Sequence, residues 1–190
     1  MPTNVSLHAK SSVGCAVCVL VMAFTIRPAL AGPHQHGVGY LDLALEAGTL
    51  TVELRLPLES VVGFERAPRT DAERQTAREA LAHLREPSRV VAIDPVAGCA
   101  ARPALVQAPR LEAGAAPGSR SGSAPVDEGH GDLSARYVWQ CATPASLRSV
   151  QLQLFDRFPR LRRLEAQAAL PQGQTRAVLR SNARNLPLAR

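Results

Sequence analysis

Apolar and polar residues alternate from Val38 to Glu46 (VGYLDLALE) and again from Thr49 to Leu56 (TLTVELRL), the period of a strand with one buried face. Ala47-Gly48 between the two runs is a tight-turn signal, so the spacing predicts a β-hairpin. The period then changes. Thr70 followed by Glu73 is a capping-box start for a helix over Asp71–Glu86, with Ala77, Ala80, Leu81 and Leu84 on one face and Pro87 to end it. Short strands are expected at Arg89–Ile93 and Ala104–Gln107, separated by the Asp94-Pro95 turn and Gly98. Alternation returns at Leu133–Cys141 (LSARYVWQC) and Leu147–Leu154 (LRSVQLQL), and Phe155–Leu161 reads as a short helical turn. Leu164–Leu170 and Thr175–Leu179 flank Pro171-Gln172-Gly173 as a second hairpin. Many short strands and one good helix predict an α+β domain, mainly antiparallel β-sheet with one principal helix.

Two segments fall outside this pattern. Between Pro109 and Gly131 the chain turns to Gly, Ala, Ser and Pro, which bury too little apolar surface to order themselves, so a flexible surface loop is expected there. At the other extreme, Ser11–Ile26 is free of charge; it follows a polar start with Lys10 and is broken by Arg27-Pro28 before Ala29-Leu30-Ala31. That order is the order of a secretory signal with a small-x-small exit, predicting a signal peptide over 1–31 and a single exported domain over 32–190. An uncleaved N-terminal anchor is the competing reading, but the run is short for a membrane span and no later segment could serve as one. After cleavage no stable membrane insertion is expected, and the compartment is expected to be an exported, oxidising one.

Export changes the cysteine and charge arithmetic. Of 4 cysteines, Cys15 and Cys18 lie in the signal, so their C-x-x-C spacing is accidental. Cys99 and Cys141 remain, and in an oxidising compartment they are expected to form one disulfide; a pair of zinc thiolates is the alternative. The signal also takes Lys10 and Arg27 with it, so the formal +6 becomes +4. That remainder is uneven: eight arginines and one acid from Arg157 onward stand against 12 basic and 15 acidic residues over 32–156. Nucleic acid is excluded as a partner, because aromatics for stacking make up only 4% of the chain and the protein is exported.

No nucleophile elbow, phosphate loop or zinc-protease signature is present, and nothing marks Glu53 and Glu59 as an acid/base pair, so the protein is not expected to be an enzyme. The histidines carry more. His34 and His36 form a His-x-His; on an extended strand both imidazoles point the same way and could grip one zinc ion. His130 stands among Asp127, Glu128 and Asp132, all donors of the kind zinc accepts, while His83 on the helix reads as a surface or partly buried side chain.

These pieces occur together in a known family. HQHGVGYLDLALEAGTLTVELRLPLESVVGFERAP, the TDAERQTAREAL helix, VAGC, ARYVWQCATPASL and LFDRFPRLRRLEAQAALPQGQ resemble the ZrgA-like family of periplasmic zinc uptake proteins over most of residues 34–180. The resemblance implies a periplasmic zinc-binding accessory protein working beside a membrane zinc transporter, with His34 and His36 carried over from its His-x-His-Gly element. Family members often carry a His/Asp/Glu-rich insertion where this chain has GAAPGSRSGSAPVDEGHGD, and a His in the Gly-Phe-Glu segment where this chain has Arg66. The expected ligand set is therefore His34, His36, His130 and Asp132, joined by Asp127 or Glu128. The alternative is a disulfide-bridged interaction module without metal, its basic C-terminal region docking an acidic partner.

Overall fold

The first two alternating runs pair as β1 (Val38–Glu46) and β2 (Thr49–Pro57), antiparallel from Tyr40 opposite Arg55 to Glu46 opposite Thr49. Ala47 and Gly48 take φ of 47° and 79°, the two left-handed residues that a two-residue hairpin turn requires. The structure is a computed structural model and describes residues 35–112 and 132–188.

Beyond Pro57 the period switches within a residue, and Leu58–Val62 forms α1, with Leu58, Val61 and Val62 buried at helical spacing. Helix α2 (Asp71–Leu84) has the expected capping box on Thr70 and Glu73 and buries the expected Ala77, Ala80, Leu81 and Leu84. Pro87 does more than end it. Needing no amide donor, it opens α3 (Pro87–Val90), so the strand expected from Arg89 begins only at Val91, as β3 (Val91–Ile93). Strands β4 (Cys99–Ala101) and β5 (Leu105–Gln107) follow. Where a flexible loop was expected to start, Pro109–Glu112 instead forms α4, anchored by the buried Leu111; residues 113–131 lie outside the described part. The chain continues as β6 (Asp132–Cys141), β7 (Ser149–Leu152), α5 (Leu154–Arg157), β8 (Arg163–Leu170), β9 (Gly173–Leu179) and β10 (Asn185–Pro187).

The strands make two sheets. The larger runs β4-β6-β2-β1-β8-β9, with β5 also on β6, and the smaller runs β10-β7-β3. Among the described residues every strand pairing is antiparallel except β1 with β8, which is parallel with Val38 opposite Arg163. One face of the large sheet (Leu41, Leu43, Leu50, Val52, Leu54, Leu56, Leu133, Ala135, Leu164, Ala166) shares a single core with the helices and the small sheet. Tyr137 ties the layers together, its hydroxyl donating to the Leu84 carbonyl at 2.8 Å from a fully buried position. Burial pushes the Tyr137 pKa up, so the hydroxyl stays a donor. Cys99 and Cys141 lie directly opposite each other on β4 and β6 and form the expected disulfide. The result is the α+β, mainly antiparallel domain with one principal helix that the pattern predicts.

Candidate metal centre

Topology gathers chemistry at one end of the large sheet. Strands β1 and β6 both run antiparallel to β2, and β8 runs parallel to β1, so β1, β6 and β8 all begin where β2 ends. That end therefore carries Gln35–Gly37 before β1, α1 after β2, Asp132 opposite Pro57, and Arg160–Arg162 before β8.

Gly37 is the pivot of this end. Its amide donates to the buried Ser60 hydroxyl at 3.1 Å, and its carbonyl accepts from the amides of Arg162 and Arg163 at 2.8 and 3.1 Å. Its φ of 78° and the Arg160 carbonyl only 3.0 Å from where a Cβ would sit leave room for glycine alone. Gln35 is held as well, its side-chain oxygen accepting from Arg163 at 2.9 Å and its carbonyl from the Val38 amide at 3.1 Å. His36 thus sits in a turn between two fixed neighbours, and not on the extended strand assumed for His-x-His; the turn sets where its ring points.

The ring points at carboxylates. His36 Nδ1 lies 3.8 Å from Glu59 Oε2 and 3.7 Å from Glu65 Oε1. Glu59 projects from α1, whose other inner residues (Leu58, Ser60, Val61, Val62) are buried, so it is the residue left to face outward. Gly63 then ends the helix in a left-handed cap, its amide donating to the Glu59 carbonyl at 2.9 Å. Glu65 follows two residues later, its carbonyl accepting from Arg110 of α4 at 3.1 Å. Zinc with nitrogen and oxygen ligands about 2.1 Å away spaces those atoms about 3.4 Å apart. The His36–Glu59 and His36–Glu65 distances are a few tenths of an ångström wider, an open version of that spacing. As they stand, no three His, Cys, Asp or Glu among the described residues are gathered closely enough to hold a metal ion.

Of the residues expected as ligands, His36 and Asp132 are described and share this sheet end; His34, Asp127, Glu128 and His130 lie outside the described residues. Both described flanks of that outer segment are here too. Arg110 of α4 reaches the Glu65 carbonyl, and Asp132 opens β6 against Pro57. Glu59 and Glu65 were missed by sequence reasoning; the only signal was Glu65 in Gly-Phe-Glu. Arg66, in the same segment, has a structural task. It grips Glu73 through both terminal nitrogens at 2.9 and 2.6 Å and lies over the Phe64 ring at 5.3 Å. Four of the C-terminal arginines are also engaged within the domain: Arg157 with Glu79, Arg160 with Glu59, Arg163 with Glu165 and Arg184 with Asp156.

Fold and site together define a two-sheet, disulfide-bridged α+β domain that presents imidazole and carboxylates at one sheet end. The chain belongs to the family described as ZrgA family zinc uptake protein, whose model matches residues 33–188. No curated protein sequence matches it. Among the described residues no helix is long and apolar enough to cross a membrane.

Proposed function

We propose that this is a periplasmic zinc-binding accessory protein that assists zinc acquisition, a binder with no catalytic role. The observation that carries the reading is the convergence of His36, Glu59 and Glu65 at 3.7 and 3.8 Å on the sheet end where 113–131 leaves and rejoins the described fold. Membership of a zinc uptake family supports the choice of metal, and a borderline imidazole-plus-carboxylate donor set suits Zn²⁺. His34, two residues before His36, would supply a second imidazole. His130 and Asp132, with Asp127 or Glu128, would close the site from the other side. The N-terminal signal over 1–31 supports export, and the partner proposed to receive the ion is a membrane zinc transporter.

Calorimetric titration of Zn²⁺ into the exported chain tests this. Wild type is expected to bind. A His34→Ala/His36→Ala variant and a Glu59→Gln/Glu65→Gln variant should each lose at least about tenfold in affinity, the loss that even outer-shell partners of a metal cause. Undiminished binding in both variants would overturn the ligand set.

A further inference from the structure

Glu59 is a shared carboxylate. While Oε2 faces His36 Nδ1 at 3.8 Å, Oε1 faces Arg160 Nε, also at 3.8 Å. Arg160 is placed there from two sides. Its carbonyl packs against Gly37, and its guanidinium covers Gly63, where an added Cβ would stand 3.2 Å from Cζ and Nη1. The turn that presents it is closed by the Leu161 amide donating to Phe158 at 2.9 Å, with Phe158 buried in the core. A guanidinium is always charged and offers no lone pair, so it can neither deprotonate to make way for a metal ion nor coordinate one. A dication that takes Glu59 as a ligand competes with it: bound through Oε2 alone the ion is repelled by the neighbouring guanidinium, and bound through both oxygens it must displace it. The means of displacement are present, because the 3.8 Å contact is loose and the Arg160 side chain is 60% exposed, with solvent to move into.

We propose that Arg160 is the resident counter-cation of the site: it neutralises Glu59 in the metal-free protein, yields the carboxylate when zinc binds, and so sets the zinc concentration at which the site loads. The proposal rests on the zinc reading above. Exposed ion pairs are weak, so the competition is expected to be worth about two- to fivefold in affinity.

The test titrates Zn²⁺ by calorimetry into four forms of the exported chain: wild type, Arg160→Met, Arg160→Lys and His36→Ala. Methionine keeps an apolar stem over Gly63 without the charge, and lysine keeps the charge. Thermal melts of each without metal confirm that the fold is retained. Arg160→Met should bind about threefold tighter than wild type, within the range that removing an exposed pair allows. Arg160→Lys should stay near wild type and His36→Ala should bind far more weakly. Loss of binding in His36→Ala with unchanged or weaker binding in Arg160→Met would overturn the counter-cation and leave the zinc site standing. Unchanged binding in His36→Ala would overturn the site itself, and the counter-cation with it.

Discussion

His83 shows how much one partly buried side chain can report. Its ring stands edge-on to Phe158, with centroids 5.6 Å apart, and its Nε2 is buried without a hydrogen-bond partner. Burial first, then the charges of Arg157 and Arg89, hold its pKa below the usual 6.5, while a backbone bond to Arg89 opposes them weakly. A histidine whose folded pKa is depressed favours the fold when neutral. Its contribution is whole above the unfolded value near 6.5 and is lost as pH falls through the lower folded value, because the unfolded chain takes up the proton first. The urea midpoint should therefore fall between pH 7.5 and pH 5, and part of that fall should vanish in His83→Leu. An identical pH slope in the variant would show that His83 carries none of it. The sequence placed His83 on the helix as a surface or partly buried residue, which it is. Phe158 and Arg157 could not be read as its neighbours, since both come from α5 and the turn after it.

At the scale of the element, α2 carries a network larger than its sequence signature. Thr70 and Glu73 make the capping box, with the Glu73 amide donating to Thr70 at 3.1 Å; the Glu73 carboxylate also accepts from the Arg69 amide at 2.6 Å and from both arms of Arg66. The Arg66 guanidinium, ahead of the Arg69 amide, draws the Glu73 pKa down to about 2. Thr70→Ala should cost about 1 kcal/mol in urea unfolding, the usual worth of a lost cap. No change would mean that the Arg66–Glu73 pair holds the helix start unaided. The long elements were legible because their periods run for many residues: both hairpins, α2 and β6 sit where the alternation or the cap puts them. Helix α1 (LESVV), β4 (CAA) and β10 (NLP) were not, since three to five residues are too few to establish a period. The candidate site suffers from this directly, because Glu59 belongs to α1.

For the whole molecule, the Cys99–Cys141 bridge fastens the short edge strand β4 to the long β6 across 42 residues of chain. On the chain-entropy account, closing a loop of that length stabilises the fold by roughly 4 kcal/mol. Cys99→Ser/Cys141→Ser should lower unfolding stability by about that much; a loss below about 1 kcal/mol would show that the paired strands alone suffice. The sequence by itself determined the strand periods, the capped helix, the cysteine pair, the family and His36 as a candidate ligand. Each of these depends on residues close in the chain or on a residue type that admits one partner. Tertiary structure alone decided that β8 lies parallel to β1, that β1, β6 and β8 begin at one sheet end, and that Glu59, Glu65 and Arg160 meet His36 there. The reason is physical: alternation says which face of a strand is buried, but strands with the same alternation are interchangeable as neighbours until packing of the whole core selects one arrangement.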